Sequence, residues 1–251
     1  MLWPLVVWLV QIAVLVGFAL GVVPVHPVAL FLPLVGLLNT WVDQEGPRGL
    51  GLIPVARPSR VLLLILAFVP LSLGRRLIAL HLGGATLRPL PITAMTIHSL
   101  CRDLAVDVLI IALWEELVSR GYVQTRLQDA WGFPGVVVAT LLFASLHLPS
   151  AVLSLGYNST TTLFRFAQTG LLGFVLGYVY WRSKCLPITI ALHGVSNFTL
   201  SLSLRLSGLS AGELMVDEMG FQLLWLAGQV GLMLLAWPAV FGVPTSEGIR
   251  T

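Results

Sequence analysis

Long apolar runs, following one another with short polar breaks, restrict this chain more than any other feature. A helix that crosses a bilayer needs about 20 mostly apolar residues. About eight segments qualify, near Trp3–Val23, Val25–Val42, Val61–Leu82, Ile92–Val118, Phe133–Leu148, Thr161–Trp181, Leu186–Leu204 and Phe221–Phe241. The fourth is unusually polar. Only 10% of the residues are charged and 57% are hydrophobic, whereas a soluble domain carries about 25% charged residues. So few charges do not make a water-facing surface, so lipid must cover much of the outside. The expected fold is all-α: a polytopic integral membrane protein, its eight or so helices in one bundle. One membrane domain, 1–251, is expected, with its motif-bearing core at about 92–205.

The formal charge of +3 raises nucleic acid as a partner. The basic residues sit mostly between apolar runs, however, where they orient a protein in a membrane. Membrane lipid is therefore the expected partner, and nucleic acid is not. With the Asp43–Arg60 loop in the cytoplasm, eight spans put both termini there. The loops holding Arg120 with Arg126, and Arg182 with Lys184, fall on the same side. Arg75, Arg76 and Arg88 fit this scheme less well. The first apolar run has no basic leader or small-residue cleavage site, so it reads as a retained span. Cys101 and Cys185 form no CxxC pair and read as free thiols. Gly17 with Gly21, and Gly173 with Gly177, have the spacing that lets helices approach closely. Asn158-Ser159-Thr160 and Asn197-Phe198-Thr199 match a glycosylation pattern but are set aside, the second because it lies in a span.

Ionisable residues in a span cost about 2.5–3.5 kcal/mol each, so their presence asks for a reason. Three clusters stand out. In Trp114-Glu115-Glu116-Leu117-Val118-Ser119-Arg120, adjacent carboxylates point about 100° apart. Glu116 and Arg120 are spaced i, i+4 in the favourable order for pairing. Glu115 has no such partner and is a candidate general base or acid. A solvated helix end is the other reading, because Arg120-Gly121 resembles a C-terminal stop. The second cluster is Phe143 to His147, one face of the fifth span. The third is His193 with Asn197, again i, i+4. Packed or interhelical polar contacts would explain either histidine cluster alone. If the three faces converge, Glu115, Glu116, His147, His193 and Asn197 supply a base, a second proton carrier and hydrogen-bond donors, the groups that amide hydrolysis requires.

These motifs, Glu-Glu-x-x-x-Arg, Phe-x-x-x-His and His-x-x-x-Asn, resemble in order and spacing those of the CPBP family of membrane proteases, which includes the Rce1-type CAAX prenyl endopeptidases. The resemblance spans about Glu115 to Asn197. It implies a glutamate-dependent intramembrane endopeptidase without a cofactor. Glu115 and His147 would activate water, and His193 and Asn197 would hold the oxyanion. Glu116 and Arg120 would mainly position the helix, with Glu116 able to assist. Eukaryotic members remove the last three residues after a prenylated Cys. Bacterial relatives are linked to peptide maturation, bacteriocin self-immunity and processing of sorting tails. The compact chain looks like a prokaryotic member of the cell membrane. Its substrate would be a peptide or membrane-anchored protein. Neither that substrate nor the oligomeric state is legible.

Three rival readings remain. Glu115, His147 and His193 would make a two-His, one-carboxylate zinc site, although no HExxH is present. A non-catalytic peptide-binding or immunity protein would keep the fold and lose the chemistry. A proton channel or transporter would relay protons through Glu and His, but no inverted repeat is visible.

Overall fold

The computed structural model describes residues 3–24, 26–55, 57–91, 93–154, 158–209, 220–221 and 223–231. All regular structure among them is helical. Seven helices carry the argument: α1 (Trp3–Ala19), α2 (Pro27–Val42), α3 (Pro58–Leu82), α4 (residues 94–131), α5 (Phe133–Leu153), α6 (Ser159–Ser183) and α7 (Leu186–Ser207). Local chemistry sets several of their starts. Proline occupies the first turn of α2, α3, α5 and α7, where its missing N–H costs nothing. Thr93 caps α4 by accepting from Thr96 N–H at 3.1 Å. Asn158, the first residue of a glycosylation triplet set aside above, caps α6 by accepting from Thr161 N–H at 2.9 Å.

Three helices, α3, α5 and α6, are long and apolar enough to cross a bilayer, while α1 and α2 are apolar but shorter. The eight spans expected from hydropathy are thus met in part. The eighth lies largely outside the described residues, which are helical at 220–221 and 223–231.

Helix α4 departs from the expected pattern. It does not stop at Arg120-Gly121 but continues to Trp131 and ends at Gly132, whose φ is +65°. Along the way it winds as π-helix twice, over Asp107–Ala112 and Leu117–Gln124, flanking one ordinary α stretch, Leu113–Glu116. Such windings are rare and collect at functional sites. Gly121 has a packing reason instead of a stopping one: a Cβ there would lie 2.9 Å from the Leu50 carbonyl oxygen.

The central part of α4 is packed against α1, α2, α5, α6 and α7. One apolar core joins Val7, Phe31, Val35, Trp114, Val118, Tyr122 and Ala139; another joins Val61, Phe68, Leu176, Val179, Ile188 and Leu192. The Gly173–Gly177 pair lets α6 approach: the Gly177 carbonyl accepts from Gln124 Nε2 at 2.8 Å, and a Cβ on Gly173 would meet Phe143 at 2.8 Å. Gly17 and Gly21 do not form such a pair. Gly21 lies beyond the end of α1 with φ +71° and has open space around it.

At one end of the bundle, Leu186 N–H donates to the Gly51 carbonyl at 2.8 Å, and Arg126 reaches Asp43 at 2.7 Å and Asn39 at 2.9 Å. The segments around residues 43–51, 121–126 and 184–186 therefore share that end, as the charge pattern implies. Arg120 does not: it is fully buried. At another place, Arg88 N–H bonds to Leu206 O, and Asp103 pairs with Arg205.

Candidate active site

Helices α4, α5 and α7 bring the three polar clusters together. Glu116 is fully buried and held from two sides. Its Oε2 lies 3.4 Å from Arg120 Nε, one turn on, as the spacing implied. Its Oε1 lies 2.8 Å from His193 Nδ1. Beside a guanidinium the carboxylate is an acceptor, so His193 Nδ1 carries the hydrogen and donates it. The Arg120 guanidinium lies 4.4 Å over the Phe143 ring and donates to the Gly173 carbonyl at 3.2 Å. Phe143 also sits edge-on to both imidazoles, at 5.0 Å from His147 and 6.0 Å from His193. The two motif residues Arg120 and Phe143 are thus a cation and an aromatic platform stacked behind the histidines.

Glu115 points elsewhere, as adjacent helical residues must. Its side chain keeps 18% exposure, and that of His147 19%. Glu115 Oε2 is 3.9 Å from His147 Nε2 and 3.6 Å from His193 Nε2. The His147 ring is tied by Nδ1 at 3.2 Å to the Phe143 carbonyl. A carbonyl only accepts, so that nitrogen bears the hydrogen. Both imidazoles therefore turn Nε2 toward Glu115, their other nitrogen fixed by an acceptor. Separations beyond 3.5 Å are too long for direct hydrogen bonds, so the three side chains share a gap instead of bonding one another.

Two cavities meet at His147 and Phe143, which line both. The larger, about 430 Å³, is mostly apolar and contains Glu115, Trp114, Leu146, Leu15, Phe18 and His26 in its wall. The smaller, about 60 Å³, includes His193, Asn197, Arg75, Arg76 and Arg165. Asn197 thus shares a wall with His193 and faces the same space as His147. Among the described residues, no group of three or more His, Cys, Asp or Glu is arranged to hold a metal ion.

Sequence reasoning left out several neighbours. His26 was unassigned and lines the larger cavity. Arg75 and Arg76, within the third apolar run, fitted the charge scheme poorly and were given no role, and Arg165 was unassigned. A charge inside an apolar run was the available signal for all three arginines. Gly173 was seen only as a packing residue, whereas its carbonyl also holds Arg120.

Helices long and apolar enough to span a bilayer, enclosing a polar carboxylate–histidine cluster, define an integral membrane protein with ionisable groups held among its helices. Residues 97–199 match the family model described as type II CAAX prenyl endopeptidase, Rce1-like. The chain carries an Rce1-like domain there, in agreement with the resemblance read from the motifs. That segment contains Glu115, Glu116, Arg120, Phe143, His147, His193 and Asn197. No curated protein and no solved structure matches the chain.

Proposed function

We propose that this protein is an intramembrane endopeptidase that cleaves a peptide or membrane-anchored protein with a water activated by Glu115 and His147. The observation that carries the reading is the approach of Glu115 Oε2 to the Nε2 atoms of His147, at 3.9 Å, and His193, at 3.6 Å. A water between Glu115 and His147 would meet two acceptors, as deprotonation for attack on a carbonyl requires. The proton taken from that water returns to the leaving amine as the C–N bond breaks. His193 and Asn197 would stabilise the oxyanion, at about 10²–10³ in kcat per donor. With Nδ1–H given to Glu116, His193 donates from Nε2 only as the imidazolium. Glu116 therefore selects which nitrogen faces the substrate. No covalent intermediate is needed.

One observation favours a zinc enzyme as the second reading. Metal-binding histidines usually donate their far N–H to a carboxylate or carbonyl, and both rings do so here. Tetrahedral zinc with bonds near 2.0–2.1 Å sets ligand atoms about 3.3 Å apart. The 3.6 and 3.9 Å separations are wider, so side-chain movement would be required.

Arg48, Arg57, Arg60, Arg126, Arg182 and Lys184 lie in or beside the segments gathered at one end. By the positive-inside rule that end would face the cytoplasm. A prokaryotic cell membrane is the proposed location, with the domain limits given above.

The test compares wild type with Glu115→Gln in a peptidomic screen of membrane extracts, quantifying bound metal in the same samples. Cleavage lost in the variant, without stoichiometric metal, is the expected result. Stoichiometric zinc lost in His147→Ala would establish the metalloenzyme. Identical products from both samples would remove Glu115 as catalyst and favour peptide binding without chemistry.

A further inference from the structure

Away from the histidines, a third cavity of about 290 Å³ opens at the end where the basic segments gather. It lies between the segment before α3, the first turn of α3, the end of α6 and the start of α7. Its neighbours set its depth. Helices α3 and α6 are both long and apolar enough to cross a bilayer. One starts at Pro58 and the other stops at Ser183, both beside this cavity. The cavity therefore sits at headgroup level, at the edge of the hydrocarbon. Tyr178 and Trp181, their ring centroids 5.9 Å apart, lie on the closing turns of α6, and such rings collect at that level.

The wall divides by chemistry. Ile53, Val55, Val61 and Ile188 make an apolar side. Arg57 and Arg182 supply charge, and no Asp or Glu is among the described lining residues. Arg182 is partly buried, with its guanidinium 5.4 Å from the Trp181 ring centre. Arg57 occupies the cap position of α3, and neither α3 nor α7 has a side chain bonded across its N-terminus. Helix N-termini favour anions, so the backbone adds to the field of the two arginines.

Size and composition together select the occupant. A water needs about 10–15 Å³ of such space, so a lone phosphate would fill a small part of the cavity and leave its apolar side uncovered. A phosphate that carries glycerol and acyl chains uses both sides. Its oxygens suit the planar fork of arginine, and its first methylenes suit Val61 and Ile188. Leu62, Leu63 and Leu66 are exposed further along α3, so the chains pass into the bilayer over an apolar surface.

We propose that this cavity binds an anionic phospholipid, its phosphate held by Arg57 and Arg182 and the start of its acyl chains by the apolar wall. The lipid bridges the start of α3 to the start of α7, the helix that carries His193 and Asn197. The site does not depend on the endopeptidase reading.

The experiment uses full-length wild type in detergent micelles, read by native mass spectrometry. The probes are phosphatidylglycerol, phosphatidylcholine with the same acyl chains, and soluble glycerol 3-phosphate. Two arginines at the surface should favour phosphatidylglycerol over phosphatidylcholine by about tenfold. Arg57→Gln with Arg182→Gln should remove that preference, and Arg57→Lys with Arg182→Lys should keep part of it. Arg48→Gln with Arg60→Gln removes the same charge from the same end but outside the cavity, and should keep it nearly whole. Equal binding of the two lipids would overturn the site. So would a preference that survives in the folded Arg57→Gln, Arg182→Gln protein, or one lost equally in the Arg48→Gln, Arg60→Gln control, which would mean diffuse surface charge. Glycerol 3-phosphate bound as tightly as the lipid would make the ligand a free phosphate and overturn the lipid assignment. If the doubly substituted protein does not fold, photoreactive phosphatidylglycerol in nanodiscs tests the wild type directly. Labelling should map to residues 53–55, 57–61 and 182–188, and labelling concentrated elsewhere would overturn the proposal.

Discussion

At the scale of single residues, the site separates side chains that face the gap from side chains that hold them. Glu115 and His147 face the gap, whereas Glu116 and Arg120 are sealed behind it. The two sets should fail differently. Removing Arg120 leaves Glu116 buried without its cation, and breaking a buried pair costs about 3–5 kcal/mol. Arg120→Ala should therefore lower thermal stability in detergent sharply, while Glu115→Gln leaves it nearly unchanged and stops cleavage. Asn197→Ala should reduce kcat about 10²-fold with little effect on KM, less than the loss in His193→Ala, because one oxyanion donor remains. Single-turnover kinetics would measure both. The Glu116–Arg120 pair was readable from spacing alone, because helical geometry is local. That His193 donates to Glu116 was not: residues 193 and 116 are joined only by packing of α7 on α4, which no local pattern encodes.

At the scale of elements, glycine decides how near the helices come. A Cβ on Gly194 would fall 2.5 Å from Val108 Cγ2 and 2.8 Å from Val108 Cα. The backbone atom cannot rotate away, so α4 and α7 must part. Gly194→Ala should destabilise the fold by about 1–3 kcal/mol and pull His193 from Glu116, cutting activity more than its stability loss explains. Thermal unfolding and turnover of the same preparation would show it. Val108→Ala should restore only part, because the Cα clash stays. Helix positions and most of the motif faces were legible from hydropathy and i, i+4 spacing. The course of α4 was misjudged at Gly121, because glycine after arginine is both a stop signal and a packing device. Only the presence of Leu50 against it separates the two.

At the scale of the whole molecule, the chain organises around one central helix. Arg126 near its end reaches Asn39, Asp43 and Glu45 and stacks 4.2 Å over Tyr122, tying the connection after α2 to α4. Arg126→Gln should speed amide exchange across residues 43–51 without changing kcat, which hydrogen-exchange mass spectrometry would resolve. The gathering of basic segments at one end followed from charge counting. The division of the interior into an apolar and a cationic cavity did not, because it depends on where Phe143 and His147 stand between them. The winding of α4 has a further consequence. A π turn closes its hydrogen bond over five residues where an α turn uses four, so each of the two stretches accommodates surplus sequence. Losing one residue from either would tighten it and swing one flank by about 100° relative to Glu115 and Glu116. Among divergent relatives, single-residue gaps in this helix should therefore concentrate at 107–112 and 117–124, and the stretch 113–116 between them should tolerate none.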